Sequence, residues 1–231
     1  MTENINIVEG VQRSHEWLQN RLGCLTSSRI ADALAKSKRG NGELQCRADY
    51  KLELAVERIT NKPVGHYVSV DMQRGIDLEP LARAAYELRT DCEVKLIDFV
   101  LHPSIHWGGC SPDGTIDEDG LVEFKVPRPT THAEYLLAES IPEEYILQMA
   151  WQLACCPDRK WNEFVSFCPD FPEPLNIFAC RMHRDDALIA YLEQEGIQFL
   201  QEVEVLQNRL KRGIAGTLRE SLKGREQTEA E

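Results

Sequence analysis

Two short stretches constrain this chain more than anything else in it. Gly109-Cys-Ser-Pro-Asp113-Gly114 is followed, after a turn-forming segment at 117–120, by Leu121-Val-Glu123-Phe-Lys125-Val-Pro127. The second stretch is apolar and β-branched, and in a strand its two charges, two residues apart, share one face. Closing the turn makes a hairpin and sets Asp113 beside Glu123. A sheet must therefore pass through these residues and carry charge on its surface. Two carboxylates are hard oxygen ligands for Mg²⁺, and the carbonyl of Phe124 can add a third oxygen whatever its side chain. Lys125 stands at the edge of that group. Such a set suits metal-assisted phosphodiester hydrolysis: the cation acidifies a water and neutralises phosphate charge, while the lysine orients or deprotonates the water or steadies developing charge. The spacing alone also fits an ordinary charged hairpin.

Around the hairpin, periodicity predicts a helix carrying Ile30, Ala33 and Leu34, capped by Thr26, Ser27 or Ser28, and further helices over 48–59 and 73–88. Strands are predicted over 93–101 and 121–126, a helix over 143–155, and strands over 164–167 and 177–180 joined by a Pro-rich acidic turn at 169–174. A last helix covers 185–212. This order places the chain in the α/β (α+β) class, with a central mixed sheet flanked by helices. The 231 residues correspond to one domain at about 100–200 residues each. That domain is expected over 1–213, with a polar, disordered tail over 214–231.

Hydrophobic residues make up 42% and charged residues 28%, which excludes a disordered or fibrous polymer. The start has no secretory pattern, and no apolar run approaches the roughly 18 residues that span a membrane. The eight cysteines lack both Cys-x-x-Cys pairs and the density of a secreted scaffold, so they are expected to be reduced, intracellular and packed as small apolar side chains. The formal charge of -12 argues against a generic cationic coat for nucleic acid. It is unevenly spread, however. From Arg21 to Lys51, seven basic residues (21, 29, 36, 38, 39, 47 and 51) face three acidic ones, whereas residues 185–205 hold six acidic residues and no Lys or Arg.

Three further patterns add candidate residues. Arg74-Gly75-x-x-x-Glu79 lies in a helical pattern, and Glu79 is placed to offer another carboxylate. Tyr145-x-x-Gln148 lies on the helix containing Met149, Trp151 and Leu153, which makes Gln148 a candidate contact to the site or the substrate backbone. Trp17-Leu-x-x-Arg21-Leu-Gly, with Ser27 and Ser28 after it, sets an arginine fork beside hydroxyls at a helix start, a ready pocket for phosphate.

In this order the five motifs resemble the bacteriophage lambda exonuclease group, the YqaJ-like viral recombinases of the PD-(D/E)XK nuclease superfamily. The resemblance spans about residues 12 to 210. It departs from the pattern at Ser27, where alanine is expected, and at Phe124, where only the carbonyl is used. It implies a restriction-endonuclease-like core and a processive 5′→3′ exonuclease that degrades one strand of linear duplex DNA, leaving 3′ single strands for annealing recombination. It further implies two Mg²⁺ per site, with Mn²⁺ as a substitute, held by Asp113, Glu123, the Phe124 carbonyl and Glu79. Lys125 would act on the water with Gln148 in support, and Arg21, Ser28, Ser111 and Trp17 would form the 5′-phosphate and DNA contacts. A ring-shaped homotrimer, a phage-encoded single-strand annealing protein as partner, and the cytoplasm of a bacterial host are implied as well. Two other readings stand beside it. A restriction or repair endonuclease of the same superfamily would cut closed circles, and a non-catalytic DNA-end-binding module would bind without metal and release no nucleotide.

Overall fold

The computed structural model describes residues 7–8, 14–37, 42–65 and 69–228. Strand β1 (Ile7–Val8) is followed by α1 (His15–Arg21), β2 (Leu25–Thr26), a 3-10 turn (Ser27–Arg29), α2 (Ile30–Leu34), α3 (Gln45–Thr60) and α4 (Val70–Thr90). Then come β3 (Val94–Lys95), β4 (Phe99–Leu101), β5 (Gly108–Cys110), β6 (Gly114–Ile116) and β7 (Gly120–Lys125). The chain continues through α5 (Pro129–Ala138), α6 (Glu143–Cys155), β8 (Trp161–Phe167), β9 (Ile177–His183) and α7 (Asp186–Thr228).

The strands form two mixed sheets, one ordered β3-β6-β7-β8-β9 and the other β1-β4-β5-β2. In the larger sheet β6 and β7 make the antiparallel hairpin, β8 lies parallel to β7, and β9 closes the edge antiparallel to β8. All seven residues of β8 are buried, as expected of a strand covered on both faces, whereas β9 alternates like an edge strand with one solvated face. Helix α6 runs between the sheets. Its residues from Met149 to Cys155 are all buried, and Trp151 Nε1 donates to the carbonyl of Gly109 at 3.1 Å, tying the helix to β5. Replacing this fully buried ring by alanine would cost about 3–5 kcal/mol. Gly109 has no Cβ because the Phe99 ring occupies that space.

Beyond elements the sequence did not announce, such as β5 and α5, four features differ from the sequence expectation. The apolar run over 93–101 is two strands, not one: Val94 pairs with Ile116 in the large sheet, and Val100 pairs with Cys110 in the small one. The chain crosses between sheets at Leu96 and Ile97, adjacent apolar residues of which one is 65% exposed and the other 6%. Helix α4 begins at Val70 because Ser69 caps it, its hydroxyl accepting from the Met72 amide at 3.1 Å. No hydroxyl of Thr26, Ser27 or Ser28 caps α2, since the 3-10 turn intervenes. Finally, α7 continues to Thr228, well past Arg212 and through most of the expected disordered tail. That segment holds no proline, and isolated glycines such as Gly213 weaken a helix by about 1 kcal/mol each without ending it. Residues 229–231 lie outside the described residues, as do Lys38 and Arg39 of the basic stretch. All eight cysteines are free thiols.

Candidate active site

The hairpin sets the first half of the site. The Asp113 amide donates to the Val122 carbonyl at 3.2 Å, and the Phe124 amide donates to Asp113 Oδ2 at 2.7 Å. The aspartate is thereby held against the strand that carries Glu123. The two faces of β7 then divide. Val122 and Phe124 pack with Ala82 and Tyr86 of α4, while Glu123 turns to α6, whose Gln148 and Gln152 donate Nε2 to Oε1 and Oε2 at 2.6 Å each. Lys125 Nζ donates to Glu123 Oε1 at 2.5 Å and lies 4.9 Å from the centre of the Tyr145 ring. Glu123 is only 3% exposed, so this carboxylate is buried, with both oxygens accepting hydrogen bonds and acceptor capacity left on Oε2.

Burial pushes the Asp113 carboxyl well above the usual carboxylate range, and the charges of Glu123 and then Glu79 push it further. Burial alone would lower Lys125, but Glu123 and Asp113 outweigh it and the ammonium is raised. Three acids thus act on one lysine, an excess of negative charge that a divalent cation relieves. Asp113 and Glu123 fit such an ion by charge, by oxygen chemistry and by sharing one hairpin, and Phe124 lines the same cavity. Glu79 lines this cavity too. Among the described residues no three His, Cys, Asp or Glu side chains gather closely enough to hold an ion. Glu79 belongs to the helix covering the other face of β7, and it acts on Asp113 through its charge.

The second half of the site comes from α1. Trp17 and Arg21 are one helical turn apart, and the guanidinium lies 4.1 Å over the indole. The indole Nε1 in turn donates to Ser111 Oγ at 3.1 Å. Burial lowers the Arg21 pKa, although Tyr50 and then nearby thiols and Glu57 partly oppose it. Among the described residues the Arg21 side chain has no carboxylate partner. The nearby Glu57 is occupied, accepting from the backbone amides of Gly23 and Val64 at 2.9 and 3.1 Å. The turn after Arg21 requires glycine: Gly23 has φ 70°, and a Cβ there would strike the aliphatic stem of Arg58. Ser28 is exposed in the 3-10 turn.

One cavity of about 540 Å³ is lined by Trp17, Arg21, Ser28, Glu79, Ser111, Asp113, Glu123, Phe124, Lys125 and Gln148. Every candidate residue named from the sequence reaches it, although the N-terminal group and the hairpin lie about 90 positions apart in the chain. Sequence reading missed Gln152, four residues after Gln148 and so on the same helical face. It also gave no task to Arg74, which donates to the carbonyls of Val126 and Pro127 at 3.0 and 2.8 Å and holds the exit of β7.

The profile of the YqaJ-like viral recombinase domain matches residues 16–158, which include all ten of the cavity residues named above. The chain belongs to the YqaJ-like viral recombinase family. Among solved structures, an alkaline exonuclease (LHK-Exo) from Laribacter hongkongensis is 39% identical over 88% of this chain and 100% of its own, with a TM-score of 0.80. The same protein in complex with dAMP matches at 39% identity and a TM-score of 0.81, with the same coverage. A phage-related exonuclease from Haemophilus somnus 129PT is 11% identical over 83% of this chain and 96% of its own, with a TM-score of 0.60, a likeness of fold alone. No curated protein sequence matches the chain. The α/β architecture with mixed sheets is thus that of this YqaJ-like family and its nuclease neighbours.

Proposed function

We propose that this YqaJ-family chain is a divalent-metal-dependent 5′→3′ exonuclease that enters linear duplex DNA at a 5′-phosphorylated end and leaves a 3′ single strand. The observation that carries this reading is one cavity, which has a carboxylate pair at one side and, at the other, a half-buried guanidinium stacked on Trp17 and without an ion-pair partner among the described residues. A 5′-terminal phosphate seated on Arg21, Ser28 and Ser111 would present the next phosphodiester to Asp113 and Glu123. A Mg²⁺ ion on those carboxylates, or Mn²⁺ in its place, would supply charge neutralisation at that phosphate and an acidified water. Lys125, fixed on Glu123 Oε1 through one N–H, has two further donors to steady the attacking water or the developing charge. Gln148 holds the same oxygen, so the lysine and the metal ligand move as one unit. Glu79 would tune the charge at Asp113 and assist a second ion when DNA brings its own oxygens.

The family resemblance extends the proposal to a ring-shaped homotrimer threaded by DNA, a phage-encoded annealing protein as partner, and action in the cytoplasm of a bacterial host. Among the described residues no helix is long and apolar enough to cross a membrane. The test uses a linear duplex labelled separately at the two ends of one strand, with and without Mg²⁺, beside a closed circular duplex. Release should begin at the 5′ label, require Mg²⁺ and spare the circle. Cutting of the circle would support the endonuclease reading, and metal-independent binding without nucleotide release would support a non-catalytic module.

A further inference from the structure

Glu123 would otherwise be a buried carboxylate with a choice of rotamers, and one of its oxygens is committed by residues outside the substrate cavity. Gln152, fully buried on α6, donates Nε2 to Glu123 Oε2 at 2.6 Å. The Gln152 amide has two ends and by itself does not know which to present: rotated half a turn, it would place an acceptor against a carboxylate. Asn162 on β8, also fully buried, decides the matter by donating Nδ2 to Gln152 Oε1 at 2.6 Å. The register explains the reach. Asn162 lies opposite Leu121 in the parallel pair, so it shares the sheet face of Leu121 and Glu123, and α6 passes over that face. The donor order Asn162 to Gln152 to Glu123 is therefore built by three elements, with each link buried in a medium where a reversed dipole is costly.

We infer that Gln152 and Asn162 form a positioning pair that holds Glu123 in its cation-binding orientation and thereby sets the affinity of the Asp113–Glu123 pair for a divalent ion. Neither residue lines the substrate cavity, so both act through Glu123. The inference rests on the metal-site reading of that pair. Outer partners of this kind typically alter metal affinity by about 10–100-fold when removed.

The probe is Mn²⁺ titrated calorimetrically into the full chain without DNA, with thermal unfolding in chelator as a check on the fold. Gln152→Met, close in volume and without polar atoms, is expected to weaken Mn²⁺ binding by about 10-fold or more. Its capture of a 5′-phosphorylated duplex end in chelator should match the wild type, because Arg21 and its neighbours are untouched. Asn162→Ser keeps Gln152 but frees its amide to turn, and a smaller weakening of several-fold is expected. Wild-type Mn²⁺ affinity in both variants, with Asp113→Ala abolishing binding, would overturn the positioning role and leave the metal site standing. Equal Mn²⁺ binding by the wild type and Asp113→Ala would overturn the metal site itself, and the positioning pair with it.

Discussion

At the scale of single residues, the proposed function divides the site into groups that would handle the reacting phosphate and one group that would read the end. Asp113→Ala and Lys125→Ala should each reduce digestion by several orders of magnitude while the circular dichroism spectrum stays unchanged, since one loses a cation ligand and the other the donor beside the water. Near-normal rates in either would remove the hairpin from the chemistry. Arg21→Ala should behave differently. The rate ratio between 5′-phosphorylated and 5′-hydroxyl duplexes should collapse towards one, because the cavity's guanidinium fork is gone; a preserved ratio would place phosphate reading elsewhere. His102 tests burial rather than catalysis. Its Nδ1 accepts from the amides of Ser104 and Ile105 at 3.2 and 3.1 Å, and burial lowers its pKa to about 4. The unfolded chain protonates this imidazole near pH 6.5, before the folded one does, so its contribution is intact above that value and is lost as pH falls towards 4. Between pH 7 and pH 4.5 this linkage amounts to about 2 kcal/mol. Chemical unfolding at pH 7 and pH 4.5 should show this gap in the wild type and a smaller one in His102→Asn.

At the scale of elements, the β6–β7 hairpin was legible because everything that specifies it is local: a turn, a period of two and a Pro–Asp–Gly bend. The approach of α1 to the hairpin was legible only as a motif, since the Trp17–Ser111 bond closes a loop of about 90 residues that no periodicity reports. Strand β5 was not legible at all. Gly108, Gly109 and Cys110 have no strand preference, and they extend because β2 and β4 flank them and Phe99 and Trp151 exclude larger side chains. Gln152 was obscured by its apolar neighbours, because a helix buried all round does not show which polar residue faces a partner. The packing of α3 on α7 carries its own prediction. Arg47, with a side chain 4% exposed, pairs with Glu202 and Glu43 at 2.7 Å each and donates Nε to the Ala33 carbonyl at 2.8 Å. Hydrogen bonding to Arg47 above all holds Glu202 at about 2. Arg47→Ala strands that carbonyl and leaves Glu43 and Glu202, each about a third exposed, to Lys51 alone at 2.6 and 2.9 Å, so the remaining partner and solvent limit the loss to about 2 kcal/mol, readable as a shift in the denaturant midpoint at constant slope.

At the scale of the molecule, the two oppositely charged stretches neutralise each other rather than standing apart: Lys36 pairs with Glu195, and Arg47 and Lys51 pair with Glu202, so the net charge of -12 leaves Arg21 as the cation that the basic stretch brings to the cavity. The acidic stretch over 185–205 lies on α7, while Arg21 serves the cavity from α1. A chain of this net sign gains little from loose phosphate contacts along a duplex, and enclosure by a ring would keep it on DNA without them. Sedimentation should therefore show a particle of three chains, and a stable monomer with full nuclease activity would exclude the ring. The long extension of α7 beyond Arg212 is helix rather than loose tail, so any assembly must accommodate a rod instead of a tether.

The distribution of the free thiols has a practical consequence. Burial raises Cys24 to about 12, and burial with neighbouring cysteines puts Cys110 and Cys156 well above the ordinary thiol value, so these sulfurs are poor nucleophiles towards an added reagent. Cys46, near the start of α3, is the exposed one. A maleimide dye added briefly at neutral pH should enter there first, giving the unaltered chain one reporter. Photobleaching steps on a single particle moving along DNA would then count its subunits while it works.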